Sequence, residues 1–328
     1  MKRILTGITP SGYPHLGNYI GAIKPSLDLL DEKCESFLFI ADLHALIKVW
    51  DPVKLDELSK KIAMAWLASG LDADKTFFYR QSDIPEITEL AWILSCVTEK
   101  GLLNRAHAYK AAVDQNKESG KKDYEEGISL GLFSYPLLMA CDILTPNATH
   151  VPVGKDQQQH LEITRDIALK FNKRYEEVFN LPEGVISSDH FVQGIDGRKM
   201  SKSYNNIIPL LGTEEELKKS VMKIVTNSQE PGEKKEWKEN TLFSIYSSFA
   251  NEVQIADLKA KFNDGIGWGD AKLILFQDLN EVLLPIREKF QDLQTRESNI
   301  EELLQENAKK VRKFTIPFLE KIKSVVGL

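Results

Sequence analysis

Short apolar runs alternate with amphipathic stretches along the first half of the chain. Residues 37–42 and 77–79 are apolar runs typical of strands buried in a parallel sheet, and residues 2–8 predict a further strand that leads into a turn. Between these strands, residues 18–31 and 52–69 carry apolar positions at the spacing of an α-helix. Strands that alternate with helices indicate βαβ units, so the pattern predicts an α/β protein whose parallel sheet is covered by helices on both faces.

The pattern changes after Pro209. Residues 213–328 have mostly helical periodicity and few strand-like runs, which predicts a smaller helical domain. We therefore expect a sheet-containing domain over residues 1–206, with an inserted helical segment at about 100–185, and a helical domain over residues 207–328. The C-terminal helix is a candidate for packing back on the first domain.

The composition is that of an ordinary globular protein, with 42% hydrophobic and 27% charged residues in a chain of 328. No apolar run reaches the roughly 18–20 residues that a membrane span needs, and the N-terminus lacks the apolar stretch of a signal peptide. Cys34, Cys96 and Cys141 are far apart and lie in or beside apolar stretches, which predicts reduced, buried thiols and no zinc or iron–sulfur site. We therefore expect a cytoplasmic protein without a membrane segment or a structural metal.

The net charge of −6 at pH 7 does not suggest a nucleic-acid-binding protein, because contacts to phosphates favour a basic surface. Binding needs only a local patch, however, and basic clusters occur at residues 170–174, 234–238 and 309–313. Each cluster on its own is more typical of a solvated helix face. Charge alone therefore leaves the binding of nucleic acid open.

Residues 14–18, Pro-His-Leu-Gly-Asn, follow the first predicted strand and begin a helix. Backbone N–H groups at a helix N-terminus bind phosphate when nothing bulky stands in front of them, and Gly17 provides that clearance. His15 and Asn18 can donate hydrogen bonds to phosphate oxygens. The motif is compatible with a nucleotide site beyond the carboxyl end of the first strand, although a glycine in a turn needs no such explanation.

A second motif lies about two-thirds along the chain, where residues 198–203 read Arg-Lys-Met-Ser-Lys-Ser. Gly194 and Gly197 precede this lysine loop and suggest a hinge, so its two lysines are expected to be mobile. Mobile cations can meet negative charge that develops only in a transition state. Alone, the string is as compatible with a solvated basic loop, and its occurrence together with residues 14–18 gives it weight.

The two motifs together resemble the HIGH and KMSKS signatures of class I aminoacyl-tRNA synthetases, with Asn18 in the place of the second histidine. The resemblance implies a Rossmann-like sheet domain, and a reaction in which an amino-acid carboxylate attacks the α-phosphate of ATP and pyrophosphate leaves. A carboxylate is already ionised at pH 7, so no general base is expected. Catalysis then consists of positioning and charge stabilisation.

One carboxylate, Asp142, lies in an otherwise apolar predicted helix, and Met139 shares its face because the two are three residues apart. Val151 and Val153 follow in the next predicted strand. An indole offers an apolar body and a single N–H donor, so a site selective for it needs apolar walls and one acceptor. Spacing alone favours the simpler interpretation that Asp142 pairs with an arginine or caps backbone groups, while its apolar neighbours are core.

Over residues 4–206 the chain resembles one family closely, the bacterial-type tryptophanyl-tRNA synthetases, and the resemblance thins over the helical C-terminal part. The segments that carry it are residues 6–12, 15–18, 22, 42–45, 136–144, 151–160, 164–166 and 199–203. The resemblance implies activation of L-tryptophan to tryptophanyl-adenylate and its transfer to tRNA(Trp), with release of diphosphate and AMP. It also implies a homodimer, Mg²⁺ carried on the ATP phosphates, and an Asp142 that accepts the indole N–H.

The resemblance assigns roles residue by residue. The positions implied to bind ATP are Thr9, Pro10, Ser11, Gly17, Asn18, Gly154, Asp156, Lys199, Met200, Ser201 and Lys202. The positions implied to bind tryptophan are Leu5, Gly7, Tyr135, Met139, Asp142, Val151, Val153 and Gln157. The residues with an implied catalytic role are His15, Asn18, Lys199, Ser201 and Lys202.

The helical part carries no chemistry motif, and we expect residues 210–290 to read the tRNA anticodon, with Lys234 and Lys235 contacting phosphates. The chain also departs from the family pattern. Thr9 stands where glutamine is common, and Ala111 and Ala112 stand where a second lysine is expected. These departures bear on ATP affinity and leave the reaction unchanged.

Three other functions are compatible with part of these observations. A tyrosyl-tRNA synthetase shares both motifs, but a phenol site adds polar partners around the hydroxyl, whereas the candidates here are mostly apolar. A tRNA-independent adenylate-forming or nucleotidyl-transfer enzyme of the same superfamily needs no helical domain of this size. A non-catalytic paralogue need not keep Lys199 and Lys202.

Overall fold

The computed structural model of the chain describes residues 2–30, 34–154, 157–186 and 192–328. The strands in these ranges are β1 (Lys2–Ile8), β2 (Cys34–Ile40), β3 (Phe77–Arg80), β4 (His150–Val153) and β5 (Glu183–Ile186). All are parallel and form one sheet in the order β3-β2-β1-β4-β5. The sheet confirms the predicted α/β class.

The sheet starts at its centre and extends in both directions. β1 pairs with β2 along its whole length, from Lys2 opposite Cys34 to Ile8 opposite Ile40, and its other side pairs with β4. The strand order therefore reverses beside β1, so a crevice is expected between the carboxyl ends of β1 and β4.

Helices connect the strands and form the C-terminal part of the chain. They are α1 (Leu16–Asn18), α2 (Lys24–Asp28), α3 (Asp42–Ala45), α4 (Pro52–Ala68), α5 (Pro85–Ser95), α6 (Lys100–Leu103), α7 (His107–Glu118), α8 (Leu130–Leu144), α9 (Gln158–Arg174), α10 (Glu214–Met222), α11 (Thr241–Ser247), α12 (Glu252–Asn263), α13 (Trp268–Gln294) and α14 (Glu297–Val326). A π-helical turn at Tyr19–Ile23 joins α1 to α2, and a 3₁₀ turn at Gln81–Asp83 follows β3. None of the helices described is both long and apolar enough to cross a membrane.

Apolar side chains cover both faces of the sheet. On one face, Trp66 of α4 and Phe78 of β3 share a core with residues of α10, α11 and α13. On the other face, Phe37 of β2 shares a core with residues of α5, α8, α9 and α14. The prediction of helices on both faces is therefore confirmed.

The C-terminal helix α14 packs back on the sheet domain, against β3, α4 and α5. Arg80 at the end of β3 binds Glu301 of α14 with N–O distances of 2.9 and 2.5 Å. Glu86 of α5, which is buried, accepts from Arg312 at 2.8 Å and from Thr315 at 3.1 Å. These contacts tie the C-terminal helix to the end of β3 and to α5.

The three cysteines differ in exposure. Cys141 is buried and Cys34 is half-buried, but Cys96 is exposed. The prediction of buried thiols is therefore wrong for Cys96, because it follows the last turn of α5 where that helix reaches solvent. All three thiols are free of disulfides.

Lys235, which we expected to contact tRNA, is fully buried. Its Nζ donates to the carbonyl of Glu230 at 2.9 Å and to that of Glu233 at 3.1 Å, and it lies 5.2 Å from the ring centre of Trp268. The expectation that it meets phosphate is wrong, because the loop at residues 230–235 folds around this ammonium group. The neighbouring Lys234 is exposed.

We expect Lys235→Met to lower the free energy of unfolding by about 1–3 kcal/mol, because two buried carbonyls lose their donor. Lys234→Met, one position away and exposed, is the matched control and should stay within about 0.5 kcal/mol of the parent. Urea unfolding of the three proteins measures both effects. Equal stabilities for the two variants would contradict a structural role for Lys235.

Candidate active site

Polar residues gather where the central strands end. Thr9 follows β1, Asp42 and His44 follow β2, Gln81 follows β3 and Gly154 follows β4. The carboxyl ends of parallel strands lie on one edge of the sheet, and the strand order reverses there beside β1. This edge is therefore the candidate active site.

The two signature motifs, far apart in sequence, meet at this edge. The backbone N–H of Gly17 donates to Sδ of Met200 at 3.3 Å, and Met200 is buried. The segment after the lysine loop is tied to the first motif as well, since the N–H of Leu16 donates to the carbonyl of Ile208 at 2.9 Å. The fold thus makes neighbours of the two predicted ATP-binding segments.

Lys202 lies directly against the turn before the first motif. A Cβ atom at Gly12 would stand 2.6 Å from Cδ and 2.9 Å from Nζ of Lys202, so the lysine side chain lies directly over this glycine. Thr9 and Ser11 are exposed along the same edge, and Pro10 is buried between them. The predicted ATP positions in this turn therefore adjoin the lysine loop.

The first motif supplies neutral donors, and the lysines supply the charge. Burial and, to a smaller extent, the charge of Lys202 lower the pKa of His15 to about 4, so its imidazole is neutral at pH 7. Burial also lowers the pKa of Lys202 to about 8, which leaves most of its ammonium protonated at pH 7. Oδ1 of Asn18 accepts from the backbone N–H of His15 at 3.1 Å, and the amide nitrogen of Asn18 remains a donor.

The lowered pKa of His15 predicts an acid-sensitive fold. An unfolded histidine titrates near 6.5 and the folded one near 4, so the unfolded chain binds the extra proton between these values and stability falls as the pH drops through them. At pH 4.5 this contribution amounts to about 2–3 kcal/mol. We expect His15→Gln to lose less stability than the parent between pH 7 and pH 4.5 in urea unfolding; equal losses would contradict the assigned pKa.

Asn206 organises the lysine loop from inside. Its Oδ1 accepts from the N–H of Ser201 at 2.7 Å, and its Nδ2 donates to Oδ1 of Asp196 at 2.6 Å and to the carbonyl of Lys199 at 3.1 Å. The side chain is buried, and a Cβ atom at Gly194 would stand 2.3 Å from its Cγ. The glycine that suggested a hinge thus also makes room for this asparagine.

Asp142 is buried in the apolar helix α8 and is hydrogen-bonded on both oxygens. Nε2 of His44 lies 2.8 Å from Oδ2, and Nε2 of Gln81 donates to Oδ1 at 2.7 Å. Burial raises the pKa of Asp142, and the hydrogen bonds from His44 and Gln81 oppose that rise. Within the described part of the chain its partners are thus a histidine and a glutamine, so the arginine pair or backbone cap favoured by spacing alone is wrong.

Tyr135 belongs to the same group of side chains. Its hydroxyl lies 2.9 Å from Nε2 of His160, and its ring meets that of His44 edge-on with 6.3 Å between ring centres. Met139 is half-buried one helical turn before Asp142. Three of the predicted tryptophan positions therefore lie along one face of α8.

Four further tryptophan positions lie on the neighbouring strands β1 and β4. Leu5, Val151 and Val153 are buried in the core that also contains α8. Gly7 is exposed at the sheet edge, and a Cβ atom there would stand 2.5 Å from the ring of Phe39. These residues supply the apolar surroundings that an indole site requires.

The segment after β4 is described in part. Gly154 and Gln157 are half-buried and joined by a hydrogen bond of 3.0 Å from the N–H of Gln157 to the carbonyl of Gly154. The predicted ATP position Asp156 lies outside the described residues.

Four residues at this edge were not among the predicted site residues. They are His44, Gln81, His160 and Asn206. His44 and Gln81 had a detectable signal, because each comes shortly after a buried strand, at the edge where parallel sheets bind ligands. His160 and Asn206 act through tertiary contacts that no local pattern indicates.

Comparison with known proteins places the chain among tRNA synthetases. The family model described as "tRNA synthetases class I (W and Y)" matches residues 1–284. The chain is 50% identical over 329 residues to a tryptophan–tRNA ligase of Neisseria meningitidis, with 100% of this chain and 98% of that protein covered. It is 51% identical over 331 residues to a tryptophan–tRNA ligase of Pseudomonas putida, covering 99% of this chain and 74% of the relative.

Solved structures agree with the fold. The tryptophanyl-tRNA synthetase of Campylobacter jejuni, solved with ADP and tryptophan, matches with a TM-score of 0.88 and 42% identity over 99% of this chain and 100% of that one. The tyrosyl-tRNA synthetase of Archaeoglobus fulgidus, solved with L-tyrosine, matches with a TM-score of 0.67 over 88% and 90% of the two chains. At 19% identity, the second likeness concerns the fold alone.

Proposed function

This chain belongs to the class I tRNA synthetases of the tryptophan and tyrosine type, and we propose that it activates L-tryptophan with ATP and transfers it to tRNA(Trp). The protein is an enzyme, a tryptophan–tRNA ligase by its reaction. The observation that carries the substrate assignment is the buried Asp142, held by His44 and Gln81 in apolar surroundings next to the two nucleotide motifs.

The reaction has two steps. The tryptophan carboxylate attacks the α-phosphorus of ATP, the bond to the bridging oxygen breaks, and pyrophosphate leaves with its electron pair. A ribose hydroxyl at the 3′ end of the tRNA then attacks the carbonyl carbon of the adenylate, and AMP leaves. Neither attack requires a metal-bound nucleophile, and the protein contributes position and charge.

Tryptophan recognition rests on one acceptor and several apolar walls. Asp142 accepts the indole N–H, and Tyr135 and Gln157 bind the amino-acid end. Leu5, Gly7, Met139, Val151 and Val153 surround the ring. The side chain of Asp142 is only 1% exposed, which supports this assignment. A carboxylate shielded from water strengthens the binding of a ligand that donates a hydrogen bond to it and weakens the binding of a ligand that has no donor.

ATP is bound between the two motifs. The neutral His15 and Asn18 donate to phosphate oxygens, while Lys199, Ser201 and Lys202 meet the charge that builds up on the leaving pyrophosphate. Thr9, Pro10, Ser11, Gly17, Gly154, Asp156 and Met200 complete the proposed ATP site. Mg²⁺ arrives on the ATP phosphates, which suits an ion that keeps several waters; in the described ranges no group of three or more His, Cys, Asp or Glu side chains could hold a metal.

Pyrophosphate exchange tests the assignment. The purified protein with ATP and labelled pyrophosphate is supplied with each of the twenty amino acids in turn, without tRNA. We expect exchange with tryptophan and an at least hundredfold lower kcat/KM with tyrosine, by the usual discrimination of a site built around one hydrogen bond. Preferential exchange with tyrosine would support the tyrosyl alternative, and exchange with neither would contradict the proposal.

The helical part, residues 210–290, is proposed to read the tRNA anticodon. Its exposed Lys234 supports a phosphate contact, and unpaired bases are read by stacking and edge hydrogen bonds. A tRNA(Trp) transcript with an altered anticodon should be charged far less well than the normal transcript. Equal charging of the two transcripts would assign residues 210–290 a different role.

We place the enzyme in the cytoplasm, because that is where tRNA is charged.

A second copy of the chain is the proposed protein partner. The resemblance to the family carries this part of the proposal, and Trp92 on α5, which is 74% exposed, is a candidate contact. Sedimentation velocity at micromolar concentration should give the mass of a homodimer. A monomer mass across that range would contradict this part of the proposal.

A further inference from the structure

Gln81 is fully buried and uses both ends of its amide at the proposed tryptophan site. Its Nε2 donates to Oδ1 of Asp142 at 2.7 Å, and its Oε1 accepts from the backbone N–H of His44 at 3.4 Å. The second bond fixes the orientation of the amide, so that the NH₂ group faces the carboxylate. The sequence motifs do not include this residue, and the function proposed above gives it no part in selecting the substrate.

The two bonds leave Asp142 with a defined acceptor capacity. Each carboxylate oxygen can accept about two hydrogen bonds, and one on each is taken by Gln81 and by His44. An ionised carboxylate this deeply buried requires such donors, because without them it would bind a proton and could no longer offer the same acceptor. The remaining lone pairs are then available to a ligand donor.

We propose that Gln81 is a positioning residue that holds the Asp142 carboxylate ionised and aimed at the indole N–H, and thereby sets the preference of the site for an N–H donor. This inference rests on the proposed function. It assigns to Gln81 a part of the substrate selectivity beyond that of Asp142 itself.

The turn that carries Gln81 is held rigid on both sides. Oδ1 of Asp42 accepts from the N–H of Ser82 at 3.0 Å, and the hydroxyl of Ser82 donates to Oδ2 of the same carboxylate. On the other side Arg80 binds Glu301 of α14. The last residue of β3 thus binds the C-terminal helix and the next residue faces the tryptophan site, so the amide of Gln81 has little freedom to follow a displaced carboxylate.

A substrate pair separates this role from simple support of the fold. Tryptophan is compared with benzothienylalanine, an analogue in which sulfur replaces the indole N–H. The analogue keeps the shape of the indole ring but has no hydrogen-bond donor on it. Gln81→Met keeps the volume of the side chain and removes its NH₂ group. Damage to the pocket as a whole affects both ligands, whereas a misaligned acceptor affects only the ligand that donates to it.

We expect Gln81→Met to lower kcat/KM for tryptophan about tenfold, chiefly through KM, and to change the inhibition constant of benzothienylalanine by at most about twofold. Gln291→Met, an exposed glutamine on α13, is the matched control and should change neither constant. Equal losses for both ligands, or no loss for tryptophan, would overturn the proposal. A wild-type protein without tryptophan-dependent exchange would instead refute the proposed function.

The pH profile is an independent readout. Groups that face Asp142 are His44 and Asp42 of α3, Tyr79 of β3 and Cys141 of α8 itself, and they are the same in parent and variant. Loss of the Gln81 donor should therefore raise the pKa of Asp142, so the acidic limb of kcat/KM for tryptophan should move to higher pH in Gln81→Met. An unmoved limb would count against the proposal.

Gln81→Glu keeps the proposal testable where the methionine variant folds poorly. Two adjacent carboxyls share one proton, and the protonated Glu side chain can donate to Asp142 as the glutamine does. Activity with tryptophan should therefore approach that of the parent as the pH is lowered and fall as the shared proton is lost. A Gln81→Glu profile parallel to that of the parent would contradict the assigned role.

Discussion

Replacing Lys202 by alanine is expected to lower kcat for tryptophanyl-adenylate formation by about 10²–10³-fold, the loss typical of a single oxyanion-type donor. The lysine lies against Gly12, directly beside the turn proposed to hold ATP, and we expect its loop to close over the leaving pyrophosphate. Its interactions should therefore strengthen as charge develops, and KM for tryptophan should change little.

Pyrophosphate exchange at saturating tryptophan and varied ATP separates the two effects of Lys202→Ala. Lys219→Ala, an exposed lysine on α10, serves as the control and should retain the parent kcat. If KM for ATP rose while kcat stayed at the parent value, Lys202 would be an anchor for bound ATP and would have no special part in the transition state.

Asp142→Ala is expected to reduce kcat/KM for tryptophan at least tenfold. Removal of the carboxylate leaves the indole N–H unpaired in a dry pocket, at a cost of about 1–3 kcal/mol, and leaves the amide of Gln81 without its acceptor.

The isosteric Asp142→Asn is the companion variant for this prediction. It keeps an oxygen acceptor but places an NH₂ group opposite either Gln81 or His44, both of which donate to the carboxylate in the parent. It should lose activity as the alanine variant does. Parent kinetics in both variants would show that another residue receives the indole.

The fold and the nucleotide motifs were predictable from the sequence because they rest on local signals. The apolar run at residues 37–42 predicted a strand and the spacing of apolar positions at residues 52–69 predicted a helix. The structure has β2 and α4 at these places. The lysine loop and residues 14–18 indicated a nucleotide site because they occur together, although each alone has a simpler explanation. The contact between Met200 and Gly17 could not be predicted from the sequence, because it joins segments 183 positions apart.

Asp142 and Lys235 show where local patterns stop being informative. Both are single charged residues, one in an apolar helix and one in a basic cluster, and the pattern around each suggested the wrong surroundings. Asp142 meets a histidine and a glutamine from two other strand ends, and Lys235 is enclosed by carbonyls of its own loop. The role of a buried charge depends on its tertiary partners, and the sequence does not show which residues contact each other.

The most direct test of the whole account is the charging of unfractionated tRNA by the purified protein with ATP and labelled amino acids. We predict that tryptophan alone becomes attached, that the charged species is tRNA(Trp), and that AMP and pyrophosphate are each released in equal amount to the tryptophan transferred. Attachment of tyrosine, or formation of an adenylate that no tRNA accepts, would contradict it.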